Sequence, residues 1–386
     1  MSEEYLKVSN LSVSKNLHDF INNEALPNSG ISSNQFWRGL SRSLEILVPI
    51  NKKLLDDRRK LQLEIDRWHL NNNKNTFDLD GYETFLKKIG YLKKEGPDFK
   101  IKTKNLDEEI SNIPGPQLVV PISNSRYALN AVNARYQSLY DSLYGTDVIQ
   151  TEESASERYD PERGLEVIKY SKKFLDKFFT LKKKSWKDVI EIKIINKDLY
   201  LDTYKIKDQL KEPDKFIGYR GAKEKPTAII LKNNNLHVEI IINPSAFSAK
   251  SDPAGISDII VEAAITTICD HEDSVAGVDA EDKINGYKNW LGLMKGDLKS
   301  KFEKKGKTYI RKLNPDRKFL KKDGSLSKLH GRALLLNRNV GHLMTNPCIL
   351  LQDGSEIPEG ILDAFVTSLC SLHDLKLKKN SRTGSI

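Results

Sequence analysis

Six carboxylates fall within thirteen residues, from Asp270 to Asp282, directly behind an uncharged β-branched run from Ala263 to Cys269. The run reads as a buried strand, and Asp270-His271-Glu272-Asp273 as the loop at its carboxyl end. Parallel α/β folds put their chemistry there, because such loops converge above the sheet. Carboxylates this crowded repel one another, so an arginine, a metal ion or both should neutralise them. The plainer reading is a solvated acidic helix start, where Asp and Glu are favoured. Arg338 ends a second apolar run, Ala333-Leu-Leu-Leu, as Asp270 ends the first. On neighbouring parallel strands the guanidinium and the acids share one rim. An arginine there grips a carboxylate substrate by two hydrogen bonds or stabilises a developing enolate. A structural ion pair with Asp270 or Glu272 is the alternative.

Other catalytic signatures are missing. His271-Glu272 has no second histidine at metalloprotease spacing, and neither GxxxxGK[ST] nor GxGxxG after a strand occurs. His330, His342 and His373 lack ligand spacing and read as structural histidines.

The elements that must position Arg338 and the acids follow a strand, loop, helix rhythm. Phe36, Leu40, Leu44 and Leu47 recur at helical spacing behind Ser32-Ser33-Asn34. Leu54, Leu61, Ile65 and Trp68 repeat the stripe as a second core-facing helix, with Pro49 between the two. Phe85 to Leu92 reads as a further short helix closing near Gly90. Leu118-Val-Val-Pro-Ile122 reads as a strand ending near Pro121, and Tyr127 to Tyr144 as one helix. Thr151 to Pro161 is polar and reads as a surface linker. Next come a helix around Leu165–Phe178, an alternating strand at Ile190–Ile194, and a hairpin turning on Asn233-Asn-Asn235. A helix after Pro253 is expected to lead into the Ala263 strand. Helices are also expected over Val278–Met294, with Ile284, Tyr287, Leu291 and Met294 inward, and over Ile361–Leu372.

Bulk properties narrow the class. The 386 residues suggest two to three domains with a real core. Sixty-two basic against 53 acidic residues give +9, with the signs interleaved and the excess in lysine-rich stretches such as Lys299 to Lys307. Such runs are solvated faces or phosphate contacts. No basic patch with interleaved aromatics marks a nucleic-acid partner, and no apolar stretch reaches membrane-spanning length. Three cysteines, Cys269, Cys348 and Cys370, are odd in number and widely spaced. They argue against a disulfide framework and for a reducing, cytoplasmic setting.

Long stretches resemble malate synthase of the G type. They include Gly115-Pro-Gln-Leu-Val-Val-Pro121, Arg126-Tyr-Ala-Leu-Asn130, Leu139-Tyr-Asp-Ser-Leu-Tyr-Gly-Thr146 and the whole of Thr266 to Lys283. Asn289 to Leu298, Arg311-Lys-Leu-Asn-Pro-Asp-Arg317, Leu329-His-Gly-Arg332, Arg338-Asn-Val-Gly-His-Leu-Met344 and Pro358-Glu-Gly-Ile-Leu-Asp363 continue the likeness. The region from Leu165 to Lys250 is the least distinctive.

The resemblance implies an incomplete TIM (β/α)8 barrel with an N-terminal helical domain and an inserted α/β domain. On that pattern 1–95 is a helical clasp, and 96–134, 263–295 and 334–386 are barrel. The α/β domain takes 135–262 and 296–333. The implied reaction condenses acetyl-CoA with glyoxylate and hydrolyses the product to malate and CoA. Arg338 matches the arginine that contacts glyoxylate and stabilises the enolate, and Asp270 and Glu272 match acids lining that site. Val119, Arg126, Tyr127, Ser274 and Arg311 match acetyl-CoA contacts. The family uses Mg2+, whose ligands, like the aspartate base, fall past Ile386 in the pattern, as do all but about three barrel strands. The resemblance thus implies an N-terminal half, inactive alone, of an enzyme that acts as a monomer. A barrel lyase for malyl-CoA or citryl-CoA and a non-catalytic basic binding module are the competing readings.

Overall fold

The structure is a computed structural model that describes residues 4–72, 76–150, 159–304 and 306–377. Most of the expected 151–161 linker lies outside the described residues; Pro161 itself opens a helix, Pro161–Phe178, capped by Asp160. The fold is mixed α/β with a helical N-terminal region. It divides into two compact units: Met1–Leu106 with His271–Lys295 and Arg338–Ile386, and Asp107–Asp270 with Gly296–Asn337.

In the first unit, Ser32 and Gln35 form a reciprocal capping box that starts the helix Ser33–Asn71. Its first half buries Phe36, Trp37, Leu40, Leu44 and Val48. The helix runs through Pro49 rather than breaking there. The proline deprives only the carbonyl of Glu45 of its donor, and Glu45 is exposed, so water can take that role. The second half is not the expected core seam, since Leu54 is 60% exposed. It is anchored by Trp68, packed on Tyr82 at 4.6 Å and on Phe85, and by His69, 4.9 Å from Tyr82, with Tyr82 and Phe85 both in the helix Leu79–Lys88. The helix Ala280–Lys295 buries Ile284, Tyr287, Leu291 and Met294 as its spacing predicts. It lies along Glu359–Leu377, where Trp290 Nε1–H donates to the Thr367 carbonyl at 3.1 Å.

In the second unit, Gln117–Pro121, Thr266–Asp270 and Leu334–Arg338 form a three-stranded sheet with Thr266–Asp270 central. Its first pair is parallel, with Ile268 opposite Val119. Leu334–Arg338 is only half-buried, less than its apolar run suggested, because its outer edge has no partner strand among the described residues. A seven-stranded antiparallel sheet forms the larger layer. Its hairpin between Pro226–Asn233 and Leu236–Ile242 turns on Asn234 and Asn235, both at positive φ as a two-residue turn requires.

Two expectations fail in this unit for identifiable reasons. Ile256–Glu262 is a strand, not a helix: its β-branched residues fit either period, and pairing with Leu236–Ile242 decides. The expected helix 127–144 splits into Ser125–Asn133 and Leu139–Tyr144, with the strand Tyr136–Ser138 between. Arg135 fixes that break. Its buried guanidinium donates to Glu262 at 2.7 Å and Glu109 at 2.9 Å, an arrangement that an uninterrupted helix would not reach.

All three cysteines are buried and none is in a disulfide, and burial pushes the Cys269 and Cys370 thiols up to about 12. No helix among the described residues is long and apolar enough to cross a membrane.

Candidate functional site

The second unit contains a cleft of ≈740 Å3. Strand alternation along Gln117–Pro121 buries Val120 and turns Val119 outward. Asn124 then caps the helix Ser125–Asn133 by accepting the Tyr127 N–H at 3.1 Å, which presents Arg126 and Tyr127 on its exposed first turn. The opposite wall comes from a hairpin, Lys299–Lys304 paired with Lys307–Lys312. Asn133 ties it in place: its amide donates to the Lys312 carbonyl at 2.9 Å and its Oδ1 accepts from the Asn314 N–H at 2.8 Å. Val119, Tyr127 and Arg311 therefore line one cleft together with Asn130, Tyr136 and Asn314. Arg126 adjoins through Phe302, whose ring lies 4.5 Å from the Arg126 guanidinium and 5.8 Å from that of Arg311.

Behind Tyr136 the charges are compensated. Glu239 accepts two hydrogen bonds from Arg317, at 2.6 and 2.5 Å, and one from Arg220 at 2.6 Å. Burial alone would raise its pKa, but the two guanidiniums overcome it and hold the carboxyl below its ordinary 4.5. Glu262 is likewise lowered, with His237 and Arg135 outweighing burial. Arg317 also stacks 4.8 Å from the Tyr136 ring. These residues are scaffold that holds the cleft wall.

The first unit carries Arg338. Its Nη2 lies 3.3 Å from Asp273 and its Nε 3.8 Å from Glu272, so the guanidinium meets the acidic turn as the paired strand ends predicted. Its side chain is 39% exposed. The backbone around it is held from both sides. His271 N–H donates to the Arg338 carbonyl at 3.0 Å, Gly341 N–H to Glu272 at 3.3 Å, and Val340 N–H to Asp363 at 3.0 Å. The loop lies so close on the helix Glu359–Leu377 that a Cβ at Gly360 would stand 2.5 Å from the Val340 carbonyl oxygen. Below it, Lys283 Nζ pairs with Glu359 at 2.8 Å and Asp363 at 2.5 Å, and Tyr287 O–H donates to Asp363 at 2.5 Å. Burial keeps the Glu359 carboxyl above its ordinary value despite Lys283.

Asp270 is fully buried at the end of its strand, and Ser274 is exposed in the 271–274 turn and does not line the cleft. Sequence reasoning passed over Lys283, Glu359, Asp363 and Phe302. Only the four-residue spacing of Glu359 and Asp363, which puts both on one helix face, was available as a signal.

The residues present do not make a magnesium cradle. Among the described residues no three His, Cys, Asp or Glu side chains converge to hold a metal, and Glu272 and Asp273 already face a guanidinium.

Residues 16–78 match the family described as malate synthase, N-terminal domain, and residues 159–233 match the malate synthase G alpha-beta insertion domain. Malate synthase G of Halalkalibacterium halodurans is 47% identical over 391 aligned residues, covering 100% of this chain and 54% of the relative. The malate synthases G of Corynebacterium efficiens and Corynebacterium glutamicum are 46% and 45% identical, covering 99% and 100% of this chain and 52% of each relative. The chain spans about half the length of the curated relatives it matches.

Proposed function

From homology to malate synthase G along the whole chain, we propose that this polypeptide supplies the substrate-binding half of a malate synthase centre. The single observation that carries the reading is the cleft. Val119, Tyr127 and Arg311, from three separate segments, line one cavity of a volume suited to a cofactor-sized ligand. The cleft takes acetyl-CoA. Arg338 takes glyoxylate, gripping its carboxylate with the planar fork that a lysine cannot reproduce, and stabilises negative charge on the enolate oxygen of the acetyl group. The enolate carbon then bonds to the glyoxylate aldehyde carbon, and water cleaves the thioester to give malate and CoA. Glu272, accepting from Gly341, orients the loop that carries Arg338.

The three parallel strands belong, on this reading, to a TIM barrel formed by 96–134, 263–295 and 334–386, with the α/β insertion at 135–262 and 296–333. Other residues than those named here hold Mg2+ and abstract the proton, the assembled enzyme is a monomer, and buried thiols outside any disulfide suit a reducing cytoplasm. Incubation with acetyl-CoA, glyoxylate and Mg2+ tests this. Saturable acetyl-CoA binding without release of free CoA is expected. Absence of binding contradicts the cleft assignment, and CoA release above background contradicts the division of labour.

A further inference from the structure

Nothing in the reading above assigns Phe302, yet both cleft-side guanidiniums rest on its ring. In the hairpin register Phe302 stands opposite Tyr309, and Ser300 opposite Arg311. Strand alternation therefore gathers Phe302, Tyr309, Lys307 and Arg311 on one face, while Glu303, the hairpin's one acid, takes the other. Phe302 and Tyr309 stack at 5.5 Å, nearly parallel at 19°, which stiffens the platform.

The two arginines differ from the others near them. Arg317 and Arg135 are saturated by carboxylates. Among the described residues neither Arg126 nor Arg311 has a carboxylate partner, and the aromatic face is what each lies against. A cation stacked on a ring keeps its in-plane N–H donors free, so the pair presents two forks with no internal acceptor. That arrangement is built for an anion with several oxygens, such as a phosphate ester.

We propose that Phe302 is a positioning residue that docks Arg126 and Arg311 against one another's charge so that together they receive the phosphate-bearing end of a coenzyme A thioester. The proposal rests on the acyl-CoA reading of the cleft. Without the ring, two like charges would separate into solvent and the phosphates would meet one guanidinium at a time.

Titration calorimetry on the 386-residue chain tests it, with CoA as probe and pantetheine, which lacks the phosphates, as control. Phe302→Leu is expected to weaken CoA binding about tenfold, flatten its salt dependence and leave pantetheine binding unchanged. Phe302→Trp, which keeps a stacking face, is expected to restore it. CoA binding by Phe302→Leu at wild-type affinity, or an equal loss for pantetheine, overturns the proposal while the cleft assignment stands. Failure of the wild-type chain to bind CoA overturns both. Should Phe302→Leu not fold, Arg126→Gln/Arg311→Gln with and without Phe302→Tyr decides: the tyrosine change is expected to be silent in that background, and a further tenfold loss of CoA affinity there overturns the proposal.

Discussion

Buried carboxylates in the two units are compensated to different degrees. In the first, buried Lys283 meets Glu359 and Asp363, and part-exposed Arg338 meets Glu272 and Asp273. In the second, Glu239 meets Arg220 and Arg317, and Glu262 meets Arg135 and His237, while Glu109 and Asp252 each meet one base, Arg135 and Lys172. The carboxyl pKa values follow the count. Glu359 is pushed up by burial because its lysine is shared, whereas Glu239 and Glu262 are pulled down against the same burial. The difference teaches where ligand charge belongs. In the second unit Arg126 and Arg311 lie against the Phe302 ring, the arrangement that the proposed phosphate contact needs. In the first unit Arg338, the proposed glyoxylate contact, has a side chain 39% exposed.

Lys283→Met tests this contrast with the largest expected effect. It strands Glu359 and Asp363, both nearly fully buried, without their shared cation and should cost about 3–5 kcal/mol of unfolding free energy. Urea denaturation followed by circular dichroism measures it, and a cost under about 1 kcal/mol would break the contrast. Glu239→Gln should cost less, about 1–3 kcal/mol, because Arg220 and Arg317 are partly exposed and can rehydrate.

Acid titration sharpens the comparison further. Glu239 and Glu262 have folded pKa values below their ordinary 4.5, so the stability they contribute is present above 4.5 and lost as pH falls through the depressed values. Glu359 has the opposite sign: its contribution is present below 4.5 and lost as pH rises through its raised value. Glu359→Gln should therefore steepen the acid loss, and the double variant Glu239→Gln/Glu262→Gln should flatten it; the reverse order would refute the assignment. The smallest effect is expected for Arg338→Lys. Its acidic partners are part-exposed or exposed, so unfolding free energy should change by about 0–1 kcal/mol. A loss above about 2 kcal/mol would make Arg338 a structural residue instead.

Much of the candidate site was legible because two apolar runs each ended in a charged residue. That pattern put Arg338 beside Glu272 and Asp273 before any coordinates. The Asn234-Asn235 turn was legible for a similar reason, since few residues adopt positive φ cheaply. What escaped depended on contacts distant in sequence. Ile256–Glu262 became a strand only through its neighbour, and Arg135 broke a periodic helix only because Glu109 and Glu262 converge on it. Phe302 is invisible in the sequence as a platform, because its meaning lies in the hairpin register and in Arg126, 176 positions earlier by residue number.

Titrating CoA into the chain and into its Arg311→Gln variant tests the central claim most directly. The account predicts saturable binding by the unaltered chain and a loss of about 10- to 100-fold in the variant, as expected for removing a charge-assisted hydrogen bond. Equal affinity in the two proteins, or no binding by either, would contradict it.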